Sequence, residues 1–394
     1  MSFRKKENET STSIVFDIGS ASVGAVLVLI SNKKDQEPKI IYDTRIPILS
    51  KNSGDYRYFL LSMLSTLKNV VVNIEQDGLR KLPKDKSNIE NISCIFSSSW
   101  HISNIETLHF EEEKSFTISA GFISDILKNV DKQFKQKNSD LKLIEKDIIQ
   151  ILLNGYSTDK PHGKKANNID VTLFMSMISD EILQKTKYIL EKTFNTDNIL
   201  FHTFTLASFS IVRDIFNTEK NFLLMDISGE ATNIILVRNE IMIKNMSFPF
   251  GKNFLMKRVA DSMNTVEEEA HSLVRLFIEG KNNDKEAIKI ESVLMNAKEE
   301  WLSSFRKILT DFSDGLSLPK TIFLTVDNDI GKWFIDTIKS DEFSMYTLAE
   351  QPFTVVELSS RILNEYCTVS QENQNRCDPF LAIEALFVHK IVND

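Results

Sequence analysis

Two stretches of this chain, one in each half, follow the same pattern. The sequences VFDIGSASVGAVLVL around Asp17 and LMDISGEATNIILVR around Asp226 each run from an apolar strand through Asp-Ile and a small-residue turn into a further apolar strand. A third β-rich segment follows each copy. Continuous apolar runs beside such a turn are typical of buried strands. A repeated strand–turn–strand unit therefore predicts two similar lobes.

The two turns carry residue types that bind phosphate and magnesium. Glycine lets backbone N–H groups approach phosphate oxygens closely, and serine hydroxyls add hydrogen-bond donors. An aspartate that ends a strand beside such a turn is placed to hold a magnesium ion through water molecules. Either turn alone is more simply a plain hairpin, but the matching pair favours a phosphate clamp between the lobes. The predicted residues are Asp17, Gly19, Ser20 and Ser22 in the first turn and Asp226, Ser228 and Gly229 in the second, with Asp17 and Asp226 as the magnesium ligands.

Composition limits the other possibilities. The chain has 394 residues, 42% of them hydrophobic and 26% charged, which suits a globular protein of two lobes. A net charge of −8 gives no general electrostatic reason to bind nucleic acid or anionic lipid. The three cysteines lack the number and spacing of a disulfide framework or a zinc site. No apolar run approaches the roughly 18 residues of a membrane span, and the polar start lacks a signal peptide's apolar core. A soluble cytoplasmic protein is expected.

The residue pattern changes in the segment that lies between the two repeats. An amphipathic helix is predicted over 119–136, a strand over 170–178 and a helix over 180–194, while 144–156 is apolar but ambiguous in type. These segments predict a small inserted α/β subdomain. The expected organisation is a disordered tail over 1–12, a first lobe over 13–99 and 195–216, the insertion over 100–194, a second lobe over 217–377, and a C-terminal helix over 378–394 that returns to the first lobe.

These motifs, in this order, resemble a known superfamily. The turn around Asp17 resembles the phosphate-1 motif of the actin, heat-shock chaperone and sugar kinase ATPases, and the turn around Asp226 resembles their phosphate-2 motif. Within that superfamily the chain resembles the FtsA/PilM branch of bacterial cell-division and type IV pilus assembly proteins. The insertion after NISCIFSS falls where that branch carries a small α/β (SHS2-type) domain, and the stretch NGYSTDKPHGKKANNIDVTLFMSMIS resembles the end of that domain. FPFGKNFLMKRVADSMNTVEEEAHSL is similar to the branch's glycine turn and following helices, and CDPFLAIEALF to its closing connect-2 helix.

The resemblance implies a fold and a ligand. The fold is α/β, a two-lobed actin-like (ribonuclease H-like, duplicated) ATPase fold with a small α/β insertion in the first lobe. The implied cofactors are ATP and Mg, and the implied nucleotide-binding residues also include Thr232 in the second turn and Gly251 in the glycine turn before the next helix.

The chain departs from the family pattern on the nucleotide side. An acidic side chain beside a triphosphate repels it, and bulky residues in place of glycines crowd the adenine. These departures predict nucleotide binding that is weakened or lost, no catalytic residue that spacing identifies, and at most a slow or vestigial ATPase. The departing positions are Ser228, Glu230 and Asn233 in the second turn, His271 and Val274 in the ribose segment, and Val326 and Asp327 in the adenosine loop.

Other candidate residues have simpler interpretations. His271 is isolated on a predicted helix and is expected to be structural. The acidic run Glu111–Glu113 is expected to be a solvated loop. The N-terminal residues 3–6 (FRKK) carry too few charges and apolar groups for stable membrane anchoring.

Three functions remain open from the sequence. The favoured one is a cytoplasmic scaffold that uses the inserted subdomain to dock a short cytoplasmic segment of a membrane protein, which recruits it to the inner face of the membrane. An active ATPase or small-molecule kinase, and a self-associating actin-like filament former, are the alternatives. FtsA-type proteins carry an amphipathic membrane-targeting helix beyond the connect-2 helix, whereas this chain stops at Asp394, which favours the PilM-like role. Neither nucleic acid nor a direct membrane span is expected.

Overall fold

The computed structural model of the protein describes residues 10–33, 36–49, 55–86, 88–137, 140–339, 343–369 and 378–393. The strands are β1 (Thr10–Ile18), β2 (Ser22–Ser31), β3 (Lys39–Pro47), β4 (Ile89–Phe96), β5 (His101–Thr117), β6 (Leu141–Leu153), β7 (Tyr156–Ser157), β8 (Lys165–Ser179), β9 (Ile199–Thr203), β10 (Phe222–Ile227), β11 (Thr232–Arg238), β12 (Ile241–Phe248), β13 (Thr321–Val326), β14 (Thr354–Glu357) and β15 (Thr368–Val369). The α-helices are α1 (Tyr56–Asn73), α2 (Ala120–Lys137), α3 (Asp180–Phe194), α4 (Phe204–Ile215), α5 (Lys252–Met263), α6 (Glu267–Ile278), α7 (Asp284–Ser313), α8 (Gly331–Lys339), α9 (Ser360–Leu363) and α10 (Pro379–Asn393).

The two large sheets repeat one topology. The first has the order β15-β3-β2-β1-β4-β9 and the other has the order β12-β11-β10-β13-β14. In each sheet the hairpin strands pair antiparallel, and the next two strands join in parallel. Apart from the short β15, the strands correspond one to one. The predicted two-lobed α/β fold is confirmed.

The two hairpins also match in the register of their strand pairing. Asp17 pairs with Gly24 across the first hairpin, and Asp226 pairs with Asn233 across the second. Both aspartates stand one residue before the end of their strand. Because parallel strands bring their carboxyl ends to one sheet edge, the turn after each aspartate faces the gap between the lobes.

The C-terminal helix α10 lies at the centre of the molecule. Every residue from Pro379 to Val388 is buried, as expected for a helix that is apolar on all sides. It packs on α4, β1 and β2 and also reaches β13 of the second lobe. Each fully buried large apolar side chain contributes about 1.5–3 kcal/mol relative to an exposed one. The helix is thus a shared core element rather than a surface appendage.

The insertion forms its own sheet, with the order β5-β8-β6-β7. Val171, Leu173 and Met175 on β8 pack in a cluster with α2, whereas the intervening Phe174 joins the central core between the lobes. The helix α3 buries Ile182 in the first-lobe core and contacts α1. The separate sheet and α2 span residues 101–179, and α3 packs on the first-lobe core while it also contacts β6 and β8. The predicted bounds of the insertion, 100–194, stay a prediction.

Three local expectations need correction or completion. Residues 10–12, placed in a tail, begin the central strand β1; residues 1–9, including Phe3 and the basic residues after it, lie outside the described residues. Glu111–Glu113 are solvent-exposed but lie in the long strand β5, where its register with β8 shifts, and not in a loop. The ambiguous stretch over 144–156 is mostly strand β6. Among the described residues, no helix combines the length and apolar character needed to cross a bilayer.

Candidate functional site between the two lobes

The aspartate near the end of β1 is held by an arginine that no sequence pattern pointed to. Arg45 on β3 donates from Nη2 to Asp17 Oδ2 at 2.6 Å. The same guanidinium donates from Nη1 to Ser22 Oγ at 2.8 Å and from Nε to Asp378 Oδ2 at 2.6 Å. Two residues predicted to bind metal or phosphate are therefore occupied by an internal cation.

The strand register explains how Arg45 reaches Asp17. Gly24 on β2 pairs with Asp17 on one side and with Arg45 on the other. A Cβ added to Gly24 would lie 3.0 Å from Arg45 Nη2, so the absence of a side chain lets the guanidinium cross β2. Asp378 is fixed independently as the cap of α10, where its Oδ1 accepts from the N–H groups of Phe380 and Leu381 at 2.9 and 3.2 Å.

A further carboxyl group adjoins this cluster. Glu384 on α10 is fully buried, and the charged groups of Asp17, Arg45 and Asp378 all act on its carboxyl group. Burial and then the charge of Asp17 raise the pKa of Glu384 well above its usual value. Burial also raises the pKa of Asp17, but Arg45 opposes this effect. The proton at neutral pH is therefore expected on Glu384, and the negative charge on Asp17 beside Arg45.

The first turn also forms hydrogen bonds with other residues of the first lobe. The carbonyl of Gly19 accepts from Trp100 Nε1 at 2.8 Å, and Ser97 Oγ lies 3.4 Å from Asp17 Oδ1. A Cβ on Gly19 would come within 2.8 Å of the Ser22 carbonyl oxygen, so this position requires glycine. The turn has the tight geometry expected of it, with its groups bonded inside the protein.

The tips of the two turns touch each other. The backbone N–H of Glu230 donates to Ser20 Oγ at 2.9 Å, and Ser20 Oγ lies 3.4 Å from Ser228 Oγ. Gly229 packs so closely on the first turn that an added Cβ would lie 2.4 Å from the Ala21 nitrogen. The void left at the turns has a volume of about 20 Å³, which is room for one water molecule. The two turns are therefore in direct contact in this structure.

The helix after the second turn has its first amides already bonded. The N–H groups of Lys252 and Asn253 donate to the carbonyls of Ser228 and Gly229 at 2.9 and 2.8 Å. Gly251 allows this approach, because a Cβ there would lie 2.4 Å from the Ser228 oxygen. Free N–H groups at a helix N-terminus bind anions. At α5 these two groups are bonded to the turn instead.

Two more side chains of the second turn point away from a phosphate position. Thr232 Oγ1 donates to the Phe250 carbonyl at 2.7 Å and accepts from Trp301 Nε1 at 3.1 Å. Glu230 is exposed, and its Oε1 accepts from Asn253 Nδ2 at 2.7 Å. Thr232 therefore connects the turn to the core of the second lobe, and Glu230 faces outward.

The aspartate of the second turn lacks the counterion that Asp17 has. Asp226 is 5% exposed, and its Oδ1 has no hydrogen-bond partner among the described residues. Burial and then the charges of Asp17 and Asp327 raise its pKa well above the usual value. An unpartnered carboxylate oxygen fits a cation, whereas Asp17 already has Arg45. The two predicted magnesium ligands are thus unequal, and the described residues contain no cluster of three or more His, Cys, Asp or Glu arranged for a metal ion.

A cleft of about 860 Å³ opens beside the closed turns, between the end of β3, the helices α5 and α6, and the loop after β13. Lys252 Nζ lies 2.6 Å from Asp327 Oδ2 and 3.4 Å from Asp329 Oδ2, and His271 Nε2 pairs with Asp329. Burial acts to raise the pKa of Asp329, but His271 and Lys252 lower it to about 2. His271 thus lines the cleft, where its carboxylate partner fixes it.

The other departing positions lie in the core. Val274 and Val326 are both buried among the apolar residues of the second lobe. Asn233 is 4% exposed and directs its Nδ2 towards Thr205 Oγ1 at 3.5 Å. Neither valine offers the cleft a polar group.

Sequence reasoning missed the charged residues that organise this site. No motif or spacing singles out Arg45, Lys252, Asp329 or Glu384. The available signals were weak ones: a glycine inside an apolar strand at Gly24, and a single acid inside the apolar helix PFLAIEALFV.

Comparison with known proteins shows the fold. No protein-family model matches the chain, and no curated protein matches its sequence. A chain of the "PilM-PilN type IV pilus biogenesis complex" superposes with a TM-score of 0.62 at 12% identity, over 97% of this chain and 98% of that one. A Bacteroides thetaiotaomicron protein "with actin-like ATPase fold and unknown function" gives 0.44 at 9% identity, over 98% and 99%. The ethanolamine utilization protein EutJ from Carboxydothermus hydrogenoformans gives 0.43 at 11%, over 94% and 89%. The chain has the two-lobed actin-like ATPase fold.

Proposed function

We propose that the protein is a PilM-like scaffold of the FtsA/PilM branch, whose nucleotide site is degenerate and held shut. On this proposal it docks a short cytoplasmic segment of a membrane protein of the cell envelope, in type IV pilus assembly. The observation that carries the proposal is the Arg45–Asp17 ion pair, because it supplies from inside the chain the cation that Asp17 would otherwise take from a metal.

The contacts at the second turn support the same conclusion. The Ser20–Glu230 hydrogen bond joins the turns without a ligand, and the first amides of α5 are bonded to the turn. A triphosphate would have to break these contacts and displace the arginine. The proposal therefore assigns the protein no catalytic residue and at most a slow or vestigial ATPase activity.

The resemblance in fold supports the scaffold role. The superposition on the chain from the PilM-PilN complex covers nearly the whole of both chains, so it extends over the insertion, which the proposal takes to be an SHS2-type subdomain. On the proposal the protein is cytoplasmic and a partner recruits it to the inner face of the membrane, while it neither spans the membrane nor binds nucleic acid. No specific observation favours an FtsA-like division role or filament formation.

The experiment is recovery of the full-length tagged protein from detergent-solubilised membranes of its own cells, with the bound proteins identified by mass spectrometry. We expect stoichiometric recovery of an inner-membrane protein encoded with pilus components, unchanged when ATP is depleted. Recovery of a tubulin-like division protein, or of no membrane protein, would overturn the proposal. Loss of the membrane partner on ATP depletion would overturn the closed-site part of it.

A further inference from the structure

The mouth of the 860 Å³ cleft carries a group of acidic side chains. Asp261 on α5 and Glu267 and Glu268 on α6 line it, and among the described residues none of the three forms an ion pair. The lysine that faces them is Lys257. Acids are ordinary in the first turn of a helix. Here, however, burial and the neighbouring Glu230 raise the pKa of Glu267, so the acids are crowded beyond what capping explains.

The same mouth carries exposed apolar side chains. Leu49 after β3 is 54% exposed and Val266 before α6 is 62% exposed, while Met256 and Ala260 form a buried apolar floor between them. Large apolar groups that line a concave surface favour an occupant that covers them. An occupant of this cleft must therefore bring apolar groups as well as positive charge.

The cations deeper in the cleft are not available to a phosphorylated ligand. Arg45 is held by Asp17 and Asp378. Lys252 is held by Asp327 and Asp329, and His271 is also bound to Asp329. A nucleotide would meet negative charge at the mouth and would find the cations inside already neutralised, whereas a cationic occupant would meet attraction.

We propose that this cleft binds a short polypeptide segment rich in lysine or arginine and in aliphatic residues, at the place where the fold family holds a nucleotide. The proposal rests on the proposed function, whose partner is a membrane protein. Segments of membrane proteins next to a span on the cytoplasmic side are enriched in lysine and arginine. The cleft volume lies within the range of about 300–1,000 Å³ typical of ligand sites, which suits a few residues of such a segment.

The test uses the full chain and a fluorescein-labelled nonapeptide made of three Lys-Leu-Ser repeats, with binding followed by fluorescence anisotropy. The variant D261N/E267Q/E268Q removes three negative charges at the mouth. We expect it to weaken binding about tenfold at low salt, with a smaller effect at high salt because exposed charges are screened. The matched variant E111Q/E112Q/E113Q removes three exposed charges from β5 and is expected to bind as the wild type does.

Each of the other possible results of this experiment would count against the proposed site. Equal loss in the two variants would show general charge attraction and would overturn the site, as would unchanged binding by D261N/E267Q/E268Q or no binding by the wild type. Displacement of the peptide by Mg-ATP would show a nucleotide site instead. The variant L49S adds a further arm: it is expected to weaken binding severalfold, whereas L316S, which changes an exposed leucine on the second lobe away from the cleft lining, is not.

Failure of this inference is separable from failure of the proposed function. Both acidic variants can be purified from membranes in the same way as the wild type. If D261N/E267Q/E268Q recovers the membrane partner as well as the wild type does, the scaffold role stands and the cleft site falls. If the wild type itself recovers no membrane partner, the scaffold role falls, whatever the peptide measurement shows.

Discussion

Arg45 and Asp17 form an ion pair across an intervening strand, with Nη2 and Oδ2 2.6 Å apart over Gly24. Arg45 is 21% exposed in its side chain, whereas Asp17 is 1% exposed. The guanidinium also binds Asp378, so one cation serves two carboxylates, and the second of them is the cap of α10. This connects the first turn, strand β3 and the central helix into one electrostatic unit.

Replacing the arginine should expose how much the unit depends on it. The variant R45M leaves Asp17 and Asp378 without their cation, and we expect the free energy of unfolding to fall by about 3 kcal/mol. Urea denaturation measures this directly. The double variant R45M/D17N should recover part of the loss, because it removes the buried charge left behind. R57M, at an exposed arginine of α1, should change stability by less than about 0.5 kcal/mol. An R45M protein as stable as R57M would contradict the assignment.

The closed turns predict no response to nucleotide. A ligand at about 100 times its dissociation constant adds roughly 2.7 kcal/mol to the stability of the folded state. Because the turns are in contact and Asp17 is paired with Arg45, millimolar Mg-ATP should leave the melting temperature unchanged within error. Differential scanning calorimetry with Mg alone and with Mg-ATP provides the comparison. A rise of several degrees with Mg-ATP only would refute the closed-site proposal.

The contact between the turns can be tested with a single methyl group. In G229A the new Cβ would meet the Ala21 nitrogen and the Ser20 carbonyl carbon, which are both backbone atoms that cannot simply rotate away. We expect a loss of about 1–3 kcal/mol, typical of overpacking. G121A is the matched control, since its nearest neighbour there is Ser119 Oγ at 3.6 Å, and it should be neutral or slightly stabilising. Equal melting temperatures for the two variants would mean that the lobes do not meet at Gly229 in solution.

The large-scale fold could be predicted because it depends on local patterns that occur twice. The runs around Asp17 and Asp226 contain their own strands and turns, so their duplication predicts two sheets before any tertiary contact is known. The Arg45–Asp17 pair could not be predicted in that way, since it depends on the register of two strand pairs at once. The Ser20–Glu230 contact depends on how the two lobes face each other, which no local pattern specifies.

Two expectations outside the core depended on partners that are distant along the chain. The run Glu111–Glu113 has low strand propensity, yet it lies in β5, an edge strand in which Glu111 pairs with Asn168 of β8 and the register then shifts before Phe116. The structural role expected for His271 stays a prediction, but its partner Asp329, which comes from a different loop, could not be read from the sequence around it. In both cases the deciding partner is distant along the chain.

His101, at the start of the insertion, predicts a loss of folding stability at acid pH. His101 begins β5, and its Nδ1 lies 3.1 Å from Ser103 Oγ, while its buried Nε2 has no hydrogen-bond partner in the part of the chain that the structure describes. Burial lowers the pKa of His101 from 6.5 to about 4. The folded state therefore resists protonation that the unfolded state accepts below pH 6.5. The free energy of unfolding is therefore unaffected by His101 above pH 6.5, and it decreases as the pH falls towards 4, by about 3 kcal/mol in total.

Urea denaturation between pH 7 and pH 4.5 should show H101Q losing less stability than the wild type over that interval. H162Q, at an exposed histidine, should follow the wild type. If H101Q and the wild type lose stability in parallel, His101 is not protected from protonation in the folded protein.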